Sequence, residues 1–283
     1  MQVEKPLLEL KDIVFSYTLS NGKSEEKPLL NIDRLILLPG EKVGIIGDNG
    51  SGKSTIVRII LGLHTPIGKV NLFGKKVLWG NHYSQLGYIG DPSLSPGYTG
   101  LPTNVSVKQV LNSFKAICEI EEKDAIDIQE ALGFDKFLEK DVKHLSNGER
   151  KKLMIFLALA KRPKLLIADE ATDGLDEKSK LFVIDKIEEI SKKSRLSVLW
   201  ISHQHDEVAR LTDTVYQLIE GELKSPSRRR FNCEVITSPE TSVCGSYHNL
   251  SSKGWSEITA KIYTSPVLSD FEIKGERMQG EEN

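Results

Sequence analysis

The sequence predicts an α/β fold built on a buried, mainly parallel sheet flanked by helices, with a helical stretch inserted into it. Three observations predict this. Short apolar segments such as "EKVGIIG", "KLLIA" and "LSVLWIS" alternate with stretches of helical period, and strands buried on both faces read as continuous apolar runs because helices cover each side. The first of these segments opens through the glycine-rich "GDNGSGKST" into an apolar helix, "KSTIVRIILGL". Residues 92–142 then change texture, from a Pro/Gly/Ser loop to helical spacing.

The elements follow in order. "LLELKDIVF" and "LLNIDRLILL" read as strands around the polar loop "LSNGKSEEKP" (residues 19–28), and Pro39-Gly40 makes the turn after them. The strand "EKVGIIG", the glycine loop and its helix come next, followed by a hairpin at residues 68–77, "GKVNLFGKKV", and the strand "LGYI". "DPSLSPGYTGLPTN", residues 91–104, is a loop. Ser106 reads as an N-cap, with Val107, Val110, Leu111, Phe114 and Ile117 at helical spacing behind it. A second helical stretch covers roughly residues 125–138. "LSNGERKK" is a polar turn running into a helix with the apolar run "LMIFLALA"; then come the strand "KLLIA", a helix carrying Leu181, Ile184, Ile187 and Ile190, and the strands "LSVLWIS" and "TVYQLI". From about residue 225 the pattern is lost. Partial period-two alternation there fits a small β appendage or a loosely ordered tail equally well, and the last residues, "ERMQGEEN", read as disordered. The expected organisation is a core over residues 5–224, a helical insertion at about 92–142, and an appendage over 225–283.

Composition narrows the class. Of 283 residues, 39% are hydrophobic and 28% charged, with a formal net charge of −2, so nothing in the balance implies a nucleic-acid or acidic-lipid partner. The small basic cluster Arg228–Arg230 reads as a solvated linker. Cys118, Cys233 and Cys244 lack metal-ligand spacing, and their odd number argues against a disulfide framework, so a reduced cytosolic chain is expected. "MQVEKPLLEL" has no apolar core of signal-peptide length, and the longest apolar run, residues 154–160, is too short to span a bilayer. Any link to a membrane is expected to pass through a partner.

The chemistry concentrates in four places. "GDNGSGKST" satisfies G-x-x-x-x-G-K-[ST] with Gly47, Gly52, Lys53 and Ser54. Backbone N–H groups of Gly47, Asp48, Asn49, Gly50, Ser51, Gly52 and Thr55 would surround phosphate oxygens, Lys53 would reach the terminal phosphates, and Ser54 would hold Mg²⁺. "KLLIADE" places Asp169 and Glu170 at the end of a buried strand, where adjacent carboxylates are costly unless they meet a cation or a proton. Asp169 suits the Mg²⁺ shell and Glu170 the attacking water. His203 ends the third apolar strand, in position to hydrogen-bond a terminal phosphate and a water-activating carboxylate. The turn in "LSNGE" is a second anion-type turn, although the phosphate loop already supplies one.

Phosphate loop, "LSNGE", "LLIADEATDGLD" and "LWISH", in this order, resemble the nucleotide-binding domain of ATP-binding cassette (ABC) proteins over about residues 5–224. The resemblance implies a phosphate-loop NTPase core with an antiparallel β lobe and an inserted helical lobe, ATP and Mg²⁺ as cofactors, and hydrolysis within a head-to-tail dimer. It implies that Tyr17, in "VFSY", stacks on adenine, that Ser146, Gly148 and Glu149 contact the γ-phosphate held by the other subunit, and that Asp176 lies in the dimer-contact loop. His203 is similar to the family's switch histidine. Asp91 stands where the family has a Gln that contacts Mg²⁺; a carboxylate can still ligand the ion but cannot donate. Asn147 replaces a usual Gly, Glu149 a usual Gln, and Ala171 a common Pro.

The expected role is the ATPase subunit of a membrane transporter, cytoplasmic and peripheral on the inner face of the membrane. Its partners would be a second copy or a related ATPase subunit, together with an integral membrane permease touching the region around residues 91–104 and the helical insertion. The alternative is a soluble assembly ATPase, for example in iron–sulfur cluster construction, whose short strings "NGERKK" and "DGLD" are echoed here. A nucleic-acid or ribosome-associated cassette is not expected, because the chain has one nucleotide domain and no long coiled-coil insertion.

Overall fold

A computed structural model describes residues 5–17, 27–78, 84–90, 104–120, 122–227, 231–236, 245–250 and 272–275. Asp91 and the loop through residue 103, residues 19–26 of the polar loop, Arg228–Arg230, Cys244 and "ERMQGEEN" lie outside the described residues.

The first lobe is a four-stranded antiparallel sheet in the order β2-β1-β4-β5, built from β1 (Leu8–Phe15), β2 (Leu30–Leu37), β4 (Ile67–Leu72) and β5 (Lys75–Lys76). Leu8, Leu10 and Ile13 are its buried residues on β1. Their alternation slips by one because Asp12 takes φ 52 and the register shifts between Lys11 and Val14, as a bulge requires.

The central sheet has six strands in the order β10-β9-β3-β8-β7-β6: β3 (Lys42–Ile46), β6 (Leu86–Ile89), β7 (Leu165–Asp169), β8 (Ser197–Ile201), β9 (Thr214–Ile219) and β10 (Glu222–Ser227). All neighbouring pairs are parallel except β9 and β10. Successive side chains of its middle strands enter different cores, as the two-residue period dictates. Leu166, Ala168, Val198 and Trp200 join the core on the helical side. Leu165, Ile167, Leu199 and Ile201 join the core shared with the antiparallel lobe and α1 (Lys53–Ile60). Both faces are therefore dry, which accounts for the continuous apolar runs.

The remaining helices are α2 (Val107–Cys118), α3 (Glu122–Leu132), α4 (Asn147–Ala160), α5 (Glu177–Ser194) and α6 (His205–Leu211). Ser106 caps α2 through a capping box with Gln109. The expected second insertion helix starts earlier and stops at Leu132, because Gly133 takes φ 66 and a short 3-10 turn, Phe134–Lys136, follows. Phe134 packs on Phe137 and Phe156, with ring centroids 4.8 and 5.7 Å away, which joins the insertion to α4. From Leu153 to Ala160 every residue of α4 is buried.

Two elements escaped the sequence reading. The helix α6 is one short turn-and-a-half behind His203. The strand β10 runs through Ser225-Pro226, where the apolar pattern fades. It lies at the sheet edge, where a proline's missing N–H is tolerated. In the region where the sequence left a β module and a tail open, β11 (Phe231–Ile236), β12 (Gly245–Leu250) and β13 (Glu272–Gly275) form an antiparallel sheet. Among the described residues no helix is long and apolar enough to cross a membrane.

Candidate functional site

Register brings the motifs to one edge of the central sheet. Ile201 of β8 lies opposite Ile45 of β3 on one side and Asp169 of β7 on the other. The residues that follow these strands, Gly47, Glu170 and His203, therefore emerge together at the carboxyl edge of a parallel sheet, where such folds place ligands.

The phosphate loop wraps the start of α1. Its N-cap is Gly52 at φ 106, where a Cβ would stand 2.7 Å from Leu30 Cδ2, so only glycine fits. No side chain caps α1, and its first-turn N–H groups are left for an anion. Asp48, Asn49 and Gly50 are exposed, while Lys53 is only 7% exposed. The Lys53 ammonium donates to the carbonyls of Gly47 (2.7 Å) and Asp48 (3.0 Å) and stands 3.9 Å from Glu170 Oε1. Ser51 Oγ is buried without a hydrogen-bond partner.

Opposite the loop, Asp169 is 6% exposed and its Oδ1 has no partner. Burial first, and then the charge of Glu170, push its carboxyl up to about 6, while the Ser54 hydroxyl, Lys53 and Lys151 pull the other way. An orphaned carboxylate oxygen beside a serine hydroxyl fits a hard divalent cation.

Glu170 adopts φ 48, left-handed and uncommon for a residue with a side chain. Both of its backbone groups are held: the N–H donates to Ile201 O (2.9 Å), and the carbonyl accepts from Asp173 N (3.2 Å) and Lys151 Nζ (2.8 Å). Its Oε2 lies 3.0 Å from His203 Nδ1 and accepts from Ser202 Oγ at 3.3 Å. The hydrogen bond to Glu170, and then its charge, raise the His203 pKa. With Nδ1 engaged by the carboxylate, Nε2 is left for another partner.

The turn after Glu170 is tied to α6. Thr172 donates to Glu207 at 2.6 Å, Gln204 Nε2 donates to Asp173 Oδ1 at 3.1 Å, and Lys180 donates to Gln204 at 3.2 Å. Thr172 and Glu207 are 1% and 8% exposed. Glu170, Asp173 and His203 each bring a ligand-capable atom within 4.8 Å of the others. Sequence reasoning missed Lys151, Thr172, Gln204 and Glu207. Each is a common polar residue one or two positions from a motif, and no spacing rule marks it.

Tyr17 stands beside α1. Its hydroxyl lies 3.2 Å from Thr55 Oγ1 and accepts from Arg58 at 3.2 Å. Its ring meets Phe15 and His64 edge-on, at centroid distances of 5.1 and 5.4 Å. Burial, then Arg58, lower the pKa of His64, so that ring is neutral.

Ser146, Gly148, Glu149 and Asp176 are not brought to the phosphate loop by any hydrogen bond among the described residues. Ser146 and Glu149 form a reciprocal capping box on α4, and Lys140 Nζ reaches Glu149 at 2.8 Å. Asp176 is an exposed N-cap of α5, accepting from Ser179 N at 2.9 Å. Asp91 lies outside the described residues.

The chain resembles known proteins over this same region. A family model described as "ABC transporter" matches residues 30–173. The energy-coupling factor transporter ATP-binding protein EcfA1 of Streptococcus pyogenes serotype M12 (strain MGAS2096) is 35% identical over 225 residues, 78% of each chain. Energy-coupling factor transporter ATP-binding protein EcfA of Streptococcus pyogenes is similar to the same extent, 35% identical over 225 residues and 78% of each chain. Among solved structures, the ATP-binding subunit of an ABC transporter superposes with a TM-score of 0.66 at 26% identity, covering 78% of this chain and 90% of that one. A bacterial Atm1-family ABC exporter with ATP bound shares the fold alone: TM-score 0.64, 20% identity, 80% of this chain and 39% of that one.

Proposed function

The chain belongs to the ABC transporter family of ATP-binding proteins, and from that premise we propose how its residues carry out the family's work. It is an ATPase that powers a membrane transporter. One observation carries the assignment of its site: Lys53, the orphaned oxygen of Asp169 and the Glu170–His203 pair converge on one sheet edge beside an uncapped helix start.

Lys53 holds the terminal phosphates, and the loop N–H groups from Gly47 to Thr55 surround their oxygens. Ser54 and Asp169 hold Mg²⁺, which supplies charge neutralisation at the phosphates. The Glu170 carboxylate accepts a hydrogen bond from the attacking water and orients it. His203, fixed by Glu170 through Nδ1, offers Nε2 to the γ-phosphate, and its raised pKa favours the charged donor. Tyr17 is the adenine platform, with Phe15 and His64 bracing its ring. Ser146, Gly148, Glu149 and Asp176 stand apart from the phosphate loop of their own chain, which supports a role across a dimer: α4 of one subunit closes the nucleotide held by the other. Asp91, where the family has Gln, completes the ion's shell directly or through water.

The relatives' name supports a membrane partner of the energy-coupling factor kind. ATP is supplied from the cytoplasm, so the chain works at the inner face of the membrane, joined to it through that partner. Residues 5–224 form the ATPase unit and 225–283 an appendage to it.

Glu170→Gln tests the site. The amide keeps the volume and the hydrogen bonds but loses the charge that orients water. Turnover falls by about a hundredfold or more, ATP is retained, and ATP-dependent dimers accumulate on size exclusion. Turnover equal to the parent would remove Glu170 from this role.

A further inference from the structure

We propose that Lys151 is a positioning residue for Glu170, the strut through which each subunit's "LSNGE" helix sets the attitude of that subunit's own catalytic carboxylate. The inference rests on Glu170 having the role given above.

Three observations converge on it. The Glu170 backbone is in the left-handed region at φ 48, and a side-chain-bearing residue keeps such a conformation only where its surroundings over-determine it. The surroundings are the Ile201 carbonyl on its N–H and two donors on its carbonyl, the Asp173 N–H and the Lys151 ammonium. Of these, the ammonium makes the shorter bond to the carbonyl, 2.8 Å against 3.2 Å, and it is the one that comes from another element, α4. A charged donor binds a carbonyl about twice as strongly as a neutral one.

The start of α4 is also tight against the turn beyond Glu170. A Cβ on Gly148 would stand 3.2 Å from the Gly174 carbonyl. The first two turns of α4 thus touch the catalytic segment twice, through Gly148 at Gly174 and through Lys151 at Glu170. The capping box holds Ser146 and Glu149 rigidly on that same helix start. A shift of α4, as when its N-terminus meets a nucleotide on another copy, moves the donor on Glu170 O with it. The Glu170 side chain leans on His203 and Ser202, so a change at its backbone re-aims the carboxylate toward or away from the water. One lysine then lets the nucleotide bound by the partner copy set the readiness of the carboxylate in this one.

The experiment is a double-mutant cycle on the full-length protein, with single-turnover ATP hydrolysis as the readout. Lys151→Met keeps the stem and removes the donor; Lys151→Arg keeps a cationic donor. Lys151→Met is expected to lower turnover by about tenfold while the KM for ATP changes less than about threefold, and Lys151→Arg to recover most of the loss. If the lysine acts through the carboxylate, Lys151→Met adds nothing in the Glu170→Gln background. A lysine that only packs α4 would lower both backgrounds by the same factor and reduce the ATP-dependent dimer. That additive result, or parental turnover in Lys151→Met, overturns the inference while leaving Glu170 in its role. Parental turnover in Glu170→Gln overturns the role of Glu170 and this inference with it.

Discussion

Asp169 and Glu170 are neighbours in sequence and opposites in environment. Asp169 ends β7 inside the sheet, where burial and the charge next door raise its carboxyl to about 6. Glu170 turns out of the strand and shares its charge with Lys53 and His203. For Asp169 the folded pKa is above the ordinary 3.8. The folded chain therefore binds the proton more tightly, and the stability this gives is complete below about 3.8 and lost as pH rises through about 6. Mg²⁺ needs the ionised oxygen and competes with that proton. In the metal-free protein the melting temperature should fall across this window, and Asp169→Asn should flatten the slope. Added Mg²⁺ should raise the melting temperature above pH about 6 far more than below it, and should do nothing in Asp169→Asn. A Mg²⁺ effect of equal size at both ends of the window would remove Asp169 from the ion's shell.

At the scale of elements, α6 matters more than its seven residues suggest. It begins two residues after His203 and returns a buried carboxylate, Glu207, to Thr172 in the turn beyond Glu170. Its start is tied to the same turn by Gln204. Glu207→Ala leaves the Thr172 hydroxyl buried without an acceptor, and chemical unfolding should register a loss of about 1–3 kcal/mol. Glu207→Gln, which keeps an acceptor oxygen, should lose less than half of that. Equal losses in the two variants would mean that packing, and not the hydrogen bond, holds the turn. This helix was hidden in the sequence because a single short amphipathic turn carries too few apolar positions to set a period. The insertion helix at residues 125–138 misled for a related reason: its apolar spacing continues past Gly133, but the backbone does not.

At the scale of the whole molecule, the site is half of a working unit. The phosphate loop and carboxylates meet on one sheet edge, while Ser146 and Asp176 cap helices that face elsewhere in the same chain. A family member whose "LSNGE" turn has no partner within its own site needs a second copy, and a transporter ATPase needs a membrane component to move. Mild-detergent purification of the full-length protein from its membranes should recover an integral membrane protein in stoichiometric amount. Repeated recovery of soluble partners alone would instead favour the assembly ATPase.

The sequence by itself determined the central sheet, the order of its motifs and the chemistry of Lys53, Ser54, Asp169, Glu170 and His203. These are local: a glycine loop between strand and helix, or two carboxylates at the end of an apolar run, carry their physics within ten residues. Tertiary structure decided the rest, because it depends on which distant groups share a register. Parallel pairing through Ile45, Ile201 and Asp169 put three separate motifs at one edge. Packing of α4 and α6 around the turn beyond Glu170 brought Lys151 and Glu207 to it. A lysine in "NGERKK" and a glutamate in "HQHDEVA" look like ordinary solvated charges, and only the fold gives them an acceptor and a donor.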